Sequence, residues 1–149
     1  MPRILVLHGP NLNALGTREP DIYGRVTLEE LDRRLHVLAA EIGCDVECAQ
    51  SHHEGVLLDA LYAAPSRQHG VLLNPGALTH TSLALRDCVA ALPIPVIEVH
   101  LSNPHAREPI RRQSLISGAA LGVIQGFGPD SYLLGLRALA GHLSRGSKA

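Results

Sequence analysis

The sequence predicts an α/β domain with a five-stranded parallel sheet and helices on both faces. Short apolar runs recur along the chain, and longer segments with leucines at helical spacing lie between them. Continuous apolar runs are typical of strands that helices cover on both faces, as in parallel sheets. The 149 residues, 46% of them hydrophobic, are enough for one core, so we expect a single domain over residues 1–149.

Five segments are predicted as strands. The first, Arg3–His8, is an unbroken aliphatic run between polar ends. The segment Asp45–Gln50 is a weaker candidate because its apolar and polar residues alternate. The remaining strands are predicted at Val71–Leu73, Val96–Val99 and Gly122–Ile124.

Five segments between and after these strands are predicted as helices. Thr27 and Glu30 have the spacing of a capping box, and Gly43 ends the leucine pattern that follows. Ser51 and Glu54 form a second possible capping box, before a helix that ends at Pro65. The other helices are predicted from about Thr81 to Leu92, over a short arginine-rich segment Ala106–Ser117, and from about Pro129 onward.

The segment Gly9–Arg25 interrupts this alternation and is predicted as a loop. It is polar and contains several glycines and prolines. Loops of this length in compact domains are often lids over active sites.

Composition excludes several classes of function. A net charge of −1 does not favour binding to nucleic acid or to an anionic membrane. The apolar run at the amino terminus is too short for a signal peptide or a membrane span. Cys44, Cys48 and Cys88 lack CxxC spacing, which predicts reduced thiols and a cytoplasmic protein. The only lysine is Lys148, next to the last residue, which argues against chemistry that needs a buried lysine.

The sequence also predicts that the protein uses no cofactor and no metal ion. No GxxxxGK[ST] motif or dinucleotide fingerprint follows a predicted strand. The chain has no tryptophan and one phenylalanine, so a flavin-stacking platform is not expected. None of the nine histidines belongs to an HExxH or Cys/His zinc pattern.

Polar residues suited to chemistry follow three of the predicted strands. Ligands of open α/β sheets bind beyond the carboxyl ends of the strands. Polar loops follow most strands, but an arginine, a tyrosine and two histidines at one edge favour a functional site. The candidate residues are Asn11, Arg18 and Tyr23 after the first strand, Asn74 and His80 after the third, and Glu98, His100 and Ser102 at the fourth.

Two pairs among these candidates have a definite chemical interpretation. Glu98 and His100 share one face of a strand, where a carboxylate can orient an imidazole and favour its protonated, acidic form. A structural ion pair is the alternative. Arg18 and Tyr23 share the loop, where a guanidinium can stabilise a phenolate that acts as a base. The alternative is a packed loop tyrosine.

Asn74 and His80 could bind a ligand, or they could only stabilise the local backbone as turn and capping residues. Asn74 precedes Pro75-Gly76 and is also typical of a tight turn. His80 lies near the predicted start of a helix, where unpaired N–H groups suit an anionic ligand, although a capping role is common there.

Five segments together resemble type II 3-dehydroquinate dehydratases over nearly the whole chain. The segments are HGPNLNALGTREP at 8–20 followed by IYG at 22–24, SHHEG at 51–55, NPGALTHTS at 74–82, PVIEVHLSN at 95–103 and GVIQGFG at 122–128. The chain departs from the family pattern where Asn or Tyr is common, at His8, His52 and Leu78, and also at Leu101, Ile110 and Leu115.

The resemblance implies a flavodoxin-like lyase without cofactor or Schiff base. The implied reaction is the anti elimination of water from 3-dehydroquinate through an enolate, which gives 3-dehydroshikimate. This step belongs to the shikimate pathway, in aromatic amino acid biosynthesis or in quinate breakdown. The implied catalytic residues are Tyr23 as base, Arg18 as its activator, Asn11 on the water that polarises the ketone, His100 as acid and Glu98 as its support.

The resemblance also implies which residues bind substrate and how the chain assembles. A homododecamer, a tetramer of trimers, is implied, and Asp87 could act from a neighbouring subunit. A non-catalytic flavodoxin-like module that binds a small anion through Asn74, His80 and Arg111 is the alternative. The implied substrate-binding residues are Asn74, His80, Asp87, Leu101, Ser102 and Arg111.

Overall fold

The structure, a computed structural model, describes residues 1–146. It contains a five-stranded sheet in the order β2-β1-β3-β4-β5, in which every neighbouring pair is parallel. The predicted α/β fold is therefore confirmed. The strands are β1 (Arg3–His8), β2 (Asp45–Gln50), β3 (Gly70–Asn74), β4 (Val96–His100) and β5 (Gly122–Gln125), and the helices are α1 (Pro20–Tyr23), α2 (Leu28–Ile42), α3 (Glu54–Ala63), α4 (Leu83–Ala91) and α5 (Pro129–Gly146).

Helices cover both faces of the sheet and bury two separate cores. Ile4 and Val6 of β1 pack on the side of α2 and α5, and Leu5 and Leu7 pack on the side of α3 and α4. This alternation follows from the two-residue period of a strand. Both faces of the central strands are therefore apolar, as the unbroken hydrophobic run of β1 predicted.

The predicted helix over Ala106–Ser117 is wrong. Three single 3-10 turns occupy this region, at Pro104–Ala106, Pro109–Arg111 and Ser117–Ala119. Pro109 lacks an N–H donor and disfavours the helical region for Glu108, whose ψ is 147°. The arginine-rich segment consequently has an irregular path over the end of the sheet.

The structure confirms one predicted helix start and shifts another. The Thr27 hydroxyl oxygen accepts a hydrogen bond from the Glu30 amide at 3.1 Å, so Thr27 caps α2 as predicted. Helix α4 begins at Leu83, after the predicted Thr81. Its cap is Ser82, whose hydroxyl oxygen accepts from the Leu85 amide at 2.9 Å.

The predicted capping box of Ser51 and Glu54 does not form. The Ser51 hydroxyl oxygen accepts from the amide of His53, the residue that precedes α3. The Glu54 carboxylate instead accepts the Ser82 hydroxyl at 2.6 Å, which links the starts of α3 and α4. A tertiary partner has thus replaced the local one.

The loop after β1 contains a 3-10 turn, Leu12–Ala14, and the short helix α1. Asn11 and Glu19 have left-handed backbone angles, with φ of 68° and 41°. Such angles strain a residue with a side chain, and they concentrate at functional sites.

Helix α5 crosses the sheet closely because Gly135 has no side chain. A Cβ atom there would lie 2.7 Å from Leu72 Cδ1 and 2.9 Å from Val99 Cγ1. Both neighbours are fully buried.

Within residues 1–146, no helix has both the length and the apolar character needed to cross a membrane.

We predict that Gly135→Ala lowers the free energy of unfolding, because the added methyl group overpacks the core. Overpacking costs about 1–3 kcal/mol, while the better helix propensity of alanine returns about 1 kcal/mol. The matched control is Gly141→Ala in the same helix, where the closest atom would be Arg145 Nη1 at 3.4 Å. Urea unfolding should rank Gly135→Ala below the wild type and Gly141→Ala at or above it. The reverse order would contradict the packing argument.

Candidate active site

A cavity of about 230 Å³ lies at the carboxyl edge of the sheet. The register of β1 and β3 places the strand ends His8 and Asn74 side by side, and the loop after β1 forms part of the cavity wall. The cavity is lined by Pro10, Asn11, Leu12, Arg18, Tyr23, Asn74, Gly76, Ala77, His80, His100, Leu101, Ser102, Pro104, Arg107 and Arg111. The structure therefore brings together predicted residues from three strand ends.

Two guanidinium groups lie over the Tyr23 ring. The Arg18 Cζ atom lies 4.9 Å from the ring centroid, and the Arg107 Cζ atom lies 5.1 Å from it. Both distances are within the range of cation–π contacts. Two positive charges therefore lie close to the Tyr23 ring.

Sequence reasoning missed Arg107. Its side chain is 12% exposed, and Nη1 donates to the Ser102 hydroxyl oxygen at 3.3 Å. Its Nε is the one buried side-chain polar atom of residues 1–146 that has no hydrogen-bond partner, although the Glu108 carboxylate is 3.8 Å away. Arg107 follows β4 in the sequence, and this position could have identified it as a candidate site residue. The wrong prediction of a helix over this segment concealed that indication.

Glu98 and His100 form the predicted pair on one face of β4. The His100 Nε2 and Glu98 Oε2 atoms are 2.5 Å apart, and the Glu98 side chain is fully buried. The Thr79 hydroxyl donates to Glu98 Oε2 at 2.5 Å, and the Ser117 hydroxyl donates to Oε1 at 2.6 Å. The Ser114 hydroxyl lies 3.4 Å from both oxygens.

These partners keep the buried carboxylate ionised. Burial alone would raise the pKa of Glu98. The hydrogen bond and charge of His100, with the Ser117 and Thr79 hydroxyls, outweigh that effect and hold the pKa below its ordinary value. The ionised carboxylate in turn accepts from Nε2 of His100 and fixes the orientation of its ring.

Backbone contacts orient the side chains of two other cavity residues, Asn74 and His80, and a third residue, Asn11, is held through its own backbone. The Asn74 Oδ1 accepts from the Gly76 amide at 3.0 Å, so Asn74 both forms the predicted turn and lines the cavity. His80 lies in the turn Gly76–His80, before α4 starts, and its Nδ1 donates to the Gln113 carbonyl at 2.8 Å. The backbone N–H of Asn11 donates to His52 Nδ1 at 3.1 Å.

The remaining candidates divide between the cavity and the surface. Leu101, Ser102 and Arg111 line the cavity. The Arg111 Nε donates to the Glu108 carboxylate at 3.0 Å, and this hydrogen bond raises the pKa of Arg111 above its ordinary value. Asp87 is exposed on α4 and does not line the cavity of its own chain. Lys148 lies outside the described residues.

One group of potential metal ligands occurs within residues 1–146, apart from the cavity. The ligand atoms of His8, Asp32 and Cys48 lie within 4.8 Å of one another. His8 and Asp32 are paired at 2.8 Å, and the Cys48 thiol hydrogen-bonds Asp32. The structure therefore places no such cluster beside Tyr23 and His100.

A larger groove, of about 440 Å³, lies between α2 and α5. Arginines and aliphatic side chains line it, among them Arg33, Val37 and Arg137. None of the predicted site residues borders it, so the smaller cavity is the candidate site.

A protein-family model described as dehydroquinase class II matches residues 2–140. The 3-dehydroquinate dehydratase of Geotalea daltonii is 53% identical over 143 residues, covering 96% of this chain and 99% of that protein. The 3-dehydroquinate dehydratase of Desulforudis audaxviator is 55% identical over 144 residues, covering 97% of this chain and 96% of that protein.

A solved structure has the same architecture. The crystal structure of type II dehydroquinase from Butyrivibrio crossotus matches with a TM-score of 0.91 and 40% identity. The match covers 93% of this chain and 97% of that one. The likeness thus extends over nearly the whole of both chains.

We predict that Glu98 makes stability depend on pH. A carboxyl group with a lowered pKa in the folded state binds fewer protons there, so its contribution is complete above about pH 4.5 and is lost as pH falls through the folded pKa. Glu98→Gln should be less stable than the wild type at neutral pH, because an amide places its own N–H donors against the hydroxyl groups. It should lose less additional stability on acidification.

Denaturant midpoints measured from about pH 7 down to about pH 3 would test this prediction. Glu41→Gln is the control, because it makes the same substitution at an exposed position of α2. Parallel pH profiles for Glu98→Gln and the wild type would contradict a lowered pKa at Glu98.

Proposed function

Because this chain belongs to the class II dehydroquinase family, we propose that it dehydrates 3-dehydroquinate with Tyr23 as base and His100 as acid. The observation that supports the proposal is the meeting of these two residues and two arginines in one cavity. The reaction removes a proton from C2 and the hydroxyl group from C1. Its products are 3-dehydroshikimate and water, and no net oxidation or reduction occurs.

The first step is removal of the C2 proton by the Tyr23 phenolate. A phenol is a weak base at neutral pH unless its anionic form is stabilised. Arg18 and Arg107 supply that stabilisation, with their Cζ atoms 4.9 and 5.1 Å from the ring centroid.

The electron pair left at C2 moves onto the neighbouring ketone oxygen and forms an enolate. Asn11 borders the cavity and is held in a left-handed backbone conformation, with φ of 68°. We propose that its side chain holds a water molecule that donates to the enolate oxygen. Stabilisation of developing charge by a preorganised donor is a major source of catalysis.

The second step is loss of the C1 hydroxyl group, to which His100 gives a proton. The enolate collapses, the C1–O bond breaks, and the hydroxyl leaves as water. Because the Glu98 carboxylate can only accept, Nε2 of His100 donates to it, and Nδ1 is the nitrogen that delivers the proton. Tyr23 then releases its proton and His100 regains one, through solvent.

The substrate is an anion with several hydroxyl groups, and the cavity has groups that suit it. We propose that the backbone and side chains of Asn74, His80, Leu101, Ser102 and Arg111 bind its carboxylate and hydroxyls. Arg111 supplies positive charge, and His80 and Ser102 supply further hydrogen-bonding groups. These contacts orient C2 toward Tyr23 and C1 toward His100.

The proposed route needs no Schiff base. A lysine that forms one must be uncharged and close to the substrate ketone. The only lysine of the chain is Lys148, next to the carboxyl terminus. A proton-transfer route through Tyr23 and His100 is consistent with this composition.

We also propose that this chain assembles as a homododecamer. Asp87 is exposed on α4 and lies outside the cavity of its own chain. Assembly would let its carboxylate reach the cavity of a neighbouring copy. An arrangement of trimers in a tetramer is the proposed form.

A non-catalytic module that binds a small anion is the second candidate, because arginine and histidine side chains line the cavity. Addition of 3-dehydroquinate separates the two functions. The product is a conjugated enone, so dehydration produces an increase in ultraviolet absorbance. A bound but unchanged substrate produces none.

We predict that Tyr23→Phe folds normally but lowers kcat by about 10²- to 10⁴-fold, since it removes only the basic oxygen. Tyr62→Phe is the matched control, because Tyr62 is 59% exposed and lies outside the cavity. Initial rates of enone formation provide the measurement. Near wild-type turnover in Tyr23→Phe would exclude this residue as the base.

We predict that Arg107→Gln lowers kcat/KM by at least about tenfold, because it removes one of the two charges that stabilise the phenolate. Arg112→Gln makes the same change at an exposed arginine outside this cavity. The wild type and both variants should be compared across pH. Equal activity of the two variants would show that Arg107 is not part of the site.

A further inference from the structure

A chain of hydrogen-bonded polar side chains runs from Asp32 of α2 through the buried His8 and Tyr132 to the cavity. The His8 Nε2 atom lies 2.8 Å from Asp32 Oδ1, and its Nδ1 atom lies 3.0 Å from the Tyr132 hydroxyl oxygen. The Tyr132 hydroxyl also interacts with the Asn74 side chain, which lines the cavity. His8 and Tyr132 are both 0% exposed, so water does not compete for these contacts.

The direction of each hydrogen bond follows from the contacts at the two ends of this chain, at Asn74 and at Asp32. Asn74 Oδ1 accepts from the Gly76 amide at 3.0 Å, so the Asn74 NH₂ group faces Tyr132 and donates to its oxygen. Tyr132 therefore gives its own proton to His8 Nδ1. The Asp32 carboxylate can only accept, so His8 Nε2 carries the remaining ring proton.

Burial maintains this arrangement at Tyr132. It raises the pKa of the Tyr132 hydroxyl far above the ordinary tyrosine value, so the group stays a neutral donor. Asp32, whose side chain is 29% exposed, also binds the Cys48 thiol. The carboxylate that orients His8 is thus itself held in place.

We propose that His8 and Tyr132 are positioning residues that fix the side-chain amide of Asn74 for binding of the substrate. This inference rests on the proposed function, in which Asn74 binds the anionic substrate. An asparagine amide has two N–H groups, and one is used on Tyr132. The other remains for a carboxylate or hydroxyl of the substrate.

The physical reason is the symmetry of the asparagine side chain. Its two ends have nearly the same shape but opposite hydrogen-bonding character. A flipped amide would present an oxygen atom to an anion, and it would place the NH₂ group against the Gly76 amide. The hydrogen-bonded chain makes the productive orientation the favourable one.

The first test is Tyr132→Phe, which removes one hydroxyl group from the core. We expect KM to rise about three- to tenfold, by more than any fall in kcat, since the lost orientation weakens binding. Tyr62→Phe is the control for the substitution, and an unchanged KM in Tyr132→Phe would overturn the proposal.

A double-mutant cycle with Asn74→Ala separates positioning from general stability. Once the amide is absent, removal of the Tyr132 hydroxyl should cause no further rise in KM. The same rise in both backgrounds would mean that Tyr132 acts on the fold and not through Asn74, and the proposal would be wrong.

Variants of His8 test the hydrogen bond between His8 and Tyr132. They also test the proposal if Tyr132→Phe does not fold. Asparagine places an amide group near the position of the imidazole Nδ1 and can accept the Tyr132 proton, whereas leucine cannot. We expect His8→Leu to raise KM as Tyr132→Phe does, and His8→Asn to raise it less. Equal effects of the two variants would count against the chain of hydrogen bonds.

A measurement independent of activity distinguishes failure of this proposal from failure of the proposed function. The side-chain amide NMR signals of Asn74, assigned by their absence in Asn74→Ala, should shift in Tyr132→Phe and in His8→Leu. Unchanged signals would overturn the positioning role, even in an active enzyme. Shifted signals in a protein that makes no enone would support that role and reject the dehydratase function.

Discussion

The buried carboxylate of Glu98 is the constraint on which the candidate site depends. A charge removed from water costs several kcal/mol unless partners compensate it. At Glu98 the compensation comes from Thr79, Ser117 and His100, which lie after β3, before β5 and at the end of β4. The segments at this edge must therefore close over the carboxylate for the domain to be stable.

This requirement links stability with chemistry. The hydrogen bond between His100 Nε2 and Glu98 helps to compensate the buried charge. The same hydrogen bond fixes the orientation of the His100 ring, because Nε2 carries a single N–H group. The irregular path of residues 101–119 has a role here as well. It places Arg107 against Tyr23 and the Ser117 hydroxyl against Glu98, which a regular helix over residues 106–117 would not do.

Much of the fold was predictable because the relevant signals are local. The aliphatic run of β1 and the cap at Thr27 depend on neighbouring residues, and both predictions were confirmed. The second capping box failed because Glu54 found a stronger partner in Ser82, a residue from another element. The predicted helix over residues 106–117 failed because Pro109 outweighs the helix propensity of the arginines. The sequence contains Pro109, but the prediction for this segment rested on its arginines and did not take the proline into account.

The sequence by itself determined the parallel sheet, the shared face of Glu98 and His100, and the lack of an internal lysine. These properties follow from strand periodicity and composition, which need no knowledge of distant contacts. Only the tertiary structure decided that Arg107 joins Arg18 at Tyr23, and that Asp32, His8 and Tyr132 connect to Asn74. The physical reason is that a side-chain hydrogen bond or cation–π contact depends on distances of a few ångströms between residues far apart in sequence. Packing of the sheet and helices sets those distances.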